Sequence, residues 1–343
     1  MILTSSLSLP ACSNFSYYSQ AIAGHLSIRS KYQAIDDLLA SEQTSAQLKQ
    51  KLASVLEIRH FASQKLSLPD NDSYTSYVEL DRPYVLWNVV AAPEFSLEPR
   101  QWCFLFAGCV KYRGYFSYDE VMSFAAELRA SGDDVYVRGV DAYSTLGWFD
   151  DPVLSTFLNR DDVSVAGLIF HELAHQQVYV KNDSAFNEGF AITVELEGVQ
   201  RWLQAHHSLD LMTQYQERKH KSAAFIELVS KTSTKLKSLY AQTLTDEQKR
   251  DRKAQIIQQM RNEYAQLKAT WAGYTGYDKW FDSEINNAKL AAVNTYRDFV
   301  PAFKVLLQEQ HGDLKEFYSA VKSLGQLPEA QRTAKLNSLI SQK

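Results

Sequence analysis

Residues 171–175 read His-Glu-Leu-Ala-His, and Glu188 follows in the word Asn187-Glu-Gly-Phe-Ala191. Histidines four apart on a helix lie about 40° from one another around its axis, so both imidazoles can grip one metal ion. Glu172 stands beside them, placed to take a proton from a water on that metal. Two histidines and one glutamate leave the fourth position of a tetrahedral zinc open, as catalytic rather than structural zinc requires. The spacing predicts one Zn2+ held by His171, His175 and Glu188, with Glu172 as the general base of a hydrolysis.

Glu188 must be brought to the histidine pair. Apolar residues at helical spacing predict a helix over about 163–180 and another over about 185–203. Between them Lys181-Asn-Asp-Ser184 is a turn cluster, with Asp183 or Ser184 as N-cap. His175 lies about six residues before the centre of this turn and Glu188 about six after it. With ~1.5 Å rise per residue on each arm, an antiparallel hairpin sets Glu188 level with His175.

The 343 residues suffice for one large domain, and the pattern along them is α+β and helix-rich. Residues 15–66 read as helical, with Thr44-x-x-Gln47 as a capping box. Strands are expected over 84–90, 102–110 and 134–138, a helix over 117–131, and an extended segment over 143–149. From about 208 onward the chain reads as helical. A long hairpin is capped at Thr245-x-x-Gln248, and further helices fall over 279–308, 313–324 and 328–341. The expected division is a domain over 13–343, with a small sheet and the zinc-binding hairpin at about 70–205 and a helical part at 206–343.

Composition excludes some partners. Net charge is −4, with no strongly basic patch, so nucleic acid is not expected. No apolar run reaches membrane-spanning length. Cys12 ends Leu9-Pro10-Ala11-Cys12, which is similar to a bacterial lipobox, although the apolar stretch before it is short and lacks a basic start. Residues 1–12 are then a lipoprotein signal and Cys12 the lipidated residue, the sole route to a membrane; the alternative is a chance cysteine. Cys103 and Cys109, six apart, suit a disulfide closing a small loop in an oxidising compartment, or else two buried thiols.

Several long words resemble a bacterial family of zinc aminopeptidases within the gluzincins. They are Val85-Leu-Trp-Asn-Val-Val-Ala-Ala-Pro-Glu-Phe95, Trp102-Cys…Gly-Cys109, Ala142-Tyr-Ser-Thr-Leu-Gly-Trp-Phe-Asp-Asp-Pro152, the His171–His175 helix, and Asn286-Asn-Ala288 with Tyr296. The resemblance implies a gluzincin-like metallopeptidase fold, a peptide substrate, and a periplasm-facing lipoprotein of the cell envelope. Two departures stand out. Only twelve residues separate His175 from Glu188, so the hairpin is tighter than usual. The acid such enzymes often carry four residues after the ligand Glu is here Ile192. Glu195, seven after Glu188 and on the same face, can hold the first histidine in its place, or serve a salt bridge.

The resemblance also implies further roles. An oxyanion needs a donor, and Tyr296 and then Tyr143 are the candidates. Ala91-Ala-Pro-Glu-Phe95 is loosely similar to the Gly-Ala-Met-Glu-Asn word that binds a substrate's ammonium, which offers Glu94 for that role. Residues 143–149 are offered as an edge strand for the peptide backbone. The competing readings are a zinc endopeptidase or other metal-dependent hydrolase, and a non-catalytic envelope protein that keeps zinc for structure.

Overall fold

In a computed structural model the described residues are 11–104, 108–142, 144–145, 147–294 and 299–341, the side chains of 11–16, 209 and 294 excepted. The chain begins with α1 (Ala11–Arg29), β1 (Gln33–Ala34), α2 (Ile35–Ala40) and α3 (Ala46–Leu66). The expectation of helix throughout 15–66 is corrected by β1 between α1 and α2 and by the break after α2. Ser45, not Thr44, caps α3: its hydroxyl accepts from the Leu48 amide.

Next come β2 (Ser76–Val78), β3 (Leu86–Pro93), β4 (Trp102–Phe104), β5 (Gly108–Val110), β6 (Arg113–Tyr115), α4 (Tyr118–Ala130) and β7 (Asp133–Val140). β3 is the centre of an antiparallel sheet ordered β6-β3-β7. Its side chains alternate between two packed faces, as strand geometry dictates. Val89 and Ala91 meet Val121 and Ala125 of α4, while Val90 and Ala92 meet Ala288 and Ala292. Residues 102–104 and 108–110 form a two-stranded antiparallel unit, β4 with β5, in which Cys103 lies opposite Cys109. A third sheet joins β1 antiparallel to β2 and β2 parallel to β8 (Val153–Leu154), which leads into α5 (Ser155–Leu158).

α6 (Asp162–Gln177) and α7 (Ser184–Ala205) cross the largest core. Ile169, Phe170, Leu173 and Ala174 of α6 are buried in one cluster with Phe186, Phe190 and Val194 of α7. Each fully buried Phe, Leu or Ile contributes about 1.5–3 kcal/mol. The helices also approach closely. A Cβ built on Gly198 would lie 2.7 Å from Phe170 Cδ2 and 2.8 Å from Leu66 Cδ1, so only glycine fits there.

α8 (Leu209–Tyr240) and α9 (Asp246–Ala269) form the expected hairpin, with a reciprocal capping box between Thr245 and Gln248. It has its own core, including Leu228, Val229, Leu236, Met260 and Tyr264. The single helix expected over 279–308 is corrected to three: α10 (Asp278–Asp282), α11 (Asn287–Asn294) and α12 (Val300–Glu309). Asn287 opens α11, donating from its amide to Asp134 and from its side chain to the carbonyls of Pro93 and Glu94. Pro301 lies in the first turn of α12, where it suits a helix start. α13 (Leu314–Gly325) and α14 (Glu329–Ile340) complete the main core.

Candidate metal centre

The turn between α6 and α7 sets the register of the centre. Asp183 caps α7 through Oδ1, which accepts from the Phe186 amide. Its Oδ2 receives two bonds from the buried Arg332 guanidinium of α14, at 2.8 and 2.6 Å. Asn187 clamps Val180 from both sides, accepting from its amide and donating to its carbonyl. Asn182 takes a left-handed conformation, and its Oδ1 accepts from the Cys109 amide, which docks the β4–β5 unit on the turn. Cys103 and Cys109 form a disulfide.

The hairpin so fixed brings His171, His175 and Glu188 together, with donor atoms all within 4.8 Å of one another. The two Nε2 atoms are 3.2 Å apart. Glu188 Oε2 lies 3.5 Å from His171 Nε2, and Glu188 Oε1 lies 3.7 Å from His175 Nε2. Around a tetrahedral zinc, ligand bonds of about 2.0–2.2 Å put neighbouring donors about 3.3–3.6 Å apart. The trio fits a divalent ion of that size. Burial pushes His175 down to about 4, which keeps its imidazole neutral and its lone pair available. Burial alone would also lower His171 and raise Glu188; their mutual contact turns the first upward and the second downward.

A further carboxylate stands behind the histidine. Glu195 Oε2 is 3.4 Å from His171 Nδ1, and Glu195 Oε1 is 3.3 Å from Lys219 Nζ of α8. Glu172 lines the same cavity as His171 and Glu195. Burial pushes its carboxyl up to about 7, helped by the charges of Glu188, Asp151 and Glu195 and opposed by His171.

Two loops lie against the Glu172 side of α6. Gln176, one turn beyond Glu172, accepts from Asn71 Nδ2 and donates to Ser73 Oγ. Arg59 holds this loop through the carbonyls of Ser73, Pro69 and Asn71. The buried Asp151 gathers Ser144 Oγ and the Thr145 amide. That folding corrects the extended segment expected over 143–149: its described residues lie in no strand.

Other sequence candidates fall elsewhere. The Glu94 carboxylate forms a bidentate ion pair with Arg250 of α9, at 2.6 and 2.8 Å. It pairs with the α8–α9 hairpin and is not among the residues lining the cavity at His171. Tyr143 and Tyr296 lie outside the described residues, as do residues 1–10. Cys12 is in the first turn of α1, and its side chain is likewise outside them. Sequence reasoning missed Lys219, whose position on a helix expected from about 208 onward carried no signal of its contact with Glu195, and Gln176, which directly follows the second histidine.

Two helices that present two imidazoles and a carboxylate to one point, beside two further acids in a cavity, define a helix-rich α+β protein with a candidate metal centre. Residues 16–336 match the family model described as "Putative aminopeptidase", and the chain belongs to that family. No curated protein and no solved structure matches it. Among the described residues, no helix is long and apolar enough to cross a membrane.

Proposed function

We propose that the chain is a zinc-dependent aminopeptidase of gluzincin type. The observation that carries this reading is the convergence of His171, His175 and Glu188 at donor spacings of 3.2, 3.5 and 3.7 Å. Zinc bound there supplies Lewis acidity toward a peptide carbonyl and lowers the pKa of water toward ~7. The chain's own residues do the rest. Glu172, its carboxyl raised to about 7 by burial, accepts a proton from water and returns it to the leaving amine. Glu195 orients the His171 ring through Nδ1, and Lys219 steadies Glu195. The disulfide supports an oxidising compartment, which agrees with a lipid-anchored envelope protein at Cys12.

The test is hydrolysis of a panel of aminoacyl-amide reporters with and without chelator, beside the same peptides with a blocked N-terminus. Cleavage that stops with chelator and with blocking supports the reading. Continued cleavage of blocked peptides makes the protein an endopeptidase. Zinc binding with no cleavage of any peptide makes it a structural zinc protein.

A further inference from the structure

A groove of about 390 Å³, within the size range of small-ligand sites, opens beside the candidate metal centre. It extends along α6 toward the helix N-terminus, and its charges are ordered. Glu172 and Glu195 lie at the metal end with His171, and Lys219, which also lines the groove, pairs with Glu195. Arg218 stands at the other end: its Nη1 donates to Asp161 Oδ2, 3.2 Å away, and Asp161 is the N-cap of α6. Arg160 lines the same end and pairs with Asp141. A guanidinium carries five N–H donors in a fork, so a bond to Asp161 aims Arg218 without exhausting it.

The separation can be counted. Asp161 precedes His171 by ten residues, or about 15 Å of helix. An extended peptide advances about 3.3–3.6 Å per residue, so some four residues bridge the metal centre and Arg218. A short free peptide carries an ammonium at one end and a carboxylate at the other. That polarity matches a groove with two carboxylates to one lysine at the metal end and two arginines at the far end.

We propose that this groove makes the protein selective for short peptides, and that Arg218, with Arg160 beside it, binds the free C-terminal carboxylate about four residues beyond the scissile bond. The proposal rests on the peptidase reading for the chemistry, but carboxylate recognition is measurable without turnover.

The experiment compares penta-alanine as the free acid, the same peptide as its C-terminal amide, and an amidated peptide with glutamate as its fifth residue. Binding is measured by calorimetry on the zinc-loaded full chain carrying Glu172→Gln, and kcat/KM on the zinc-loaded wild type. The free acid should bind about tenfold tighter than the amide, as loss of a charge-assisted contact implies. Arg218→Ala in the Glu172→Gln background should erase that preference, and Arg218→Lys should restore part of it. Equal binding of acid and amide overturns the proposal. So does a preference that survives both Arg218→Ala and Arg160→Gln, with zinc content and thermal unfolding confirming that these variants are folded. Binding of the glutamate amide as tightly as the free acid assigns the groove to acidic side chains and likewise overturns it. If the wild type cleaves none of the peptides while the acid still outbinds the amide, the peptidase reading falls and carboxylate recognition stands.

Discussion

Glu195 Oε2 lies 3.4 Å from His171 Nδ1, on the side of the ring away from the Nε2 that faces His175 and Glu188. A carboxylate there fixes the tautomer, so that the lone pair sits on the nitrogen directed at the metal position. Glu195→Gln should weaken zinc affinity about 10–100-fold while leaving far-UV circular dichroism unchanged. Competition with a chromogenic chelator reads this directly. Unchanged affinity would reduce Glu195 to a salt-bridge partner of Lys219.

The turn between α6 and α7 depends on a second acid. The Asp183 and Arg332 side chains are only 10 % and 6 % exposed, and two short bonds join them. Arg332→Ala would leave Asp183 buried without its cation, which costs about 3–5 kcal/mol. Urea unfolding of Arg332→Ala should show that loss. Zinc affinity should fall with it, because this turn places Glu188.

Close approach of the same two helices gives a simpler test. Gly198→Ala inserts a methyl 2.7 Å from Phe170 Cδ2 and 2.8 Å from Leu66 Cδ1. Overpacking of this kind costs about 1–3 kcal/mol, outweighing the gain in helix propensity of about 1 kcal/mol. Thermal unfolding should therefore move to lower temperature, and a higher midpoint would show that the helices separate freely.

Lys289 supplies a pH-dependent test away from the centre. It is 1 % exposed, donates to the Trp280 and Glu284 carbonyls and to Ser283 Oγ, and burial pushes it down to about 8. A lysine depressed in the folded state binds fewer protons there than in the unfolded chain. Stability therefore rises with pH between about 8 and the unfolded value near 10.4. Relative to Lys289→Met, the wild type should gain stability across that window, by on the order of 3 kcal/mol at most. A flat difference would mean that its three oxygen partners hold the ammonium charged.

The hairpin was readable from sequence because its information is local. Helical spacing marks both arms, Asp183 marks the cap, and the residue count about the turn places Glu188 opposite His175. The remainder depends on distant pairing. Glu94 lies in a word that suggested a substrate ammonium, but Arg250, 156 residues later, claims its carboxylate. The sheet of β1, β2 and β8 uses strands of two or three residues, too short to show alternation, and pairs positions 33, 77 and 153. The start of α11 at Asn287 is tied to β7 and to the end of β3, partners that apolar periodicity does not register.

The central claim is that two adjacent helices make one metal site from His171, His175 and Glu188, with Glu172 left free for chemistry. Metal content of the purified wild type, Glu188→Ala and Glu172→Gln after zinc loading and dialysis tests it most directly. The account predicts one zinc per chain in the wild type and in Glu172→Gln, the latter without peptidase activity, and none in Glu188→Ala. Zinc retained at full stoichiometry by Glu188→Ala, or absent from the wild type, would contradict it.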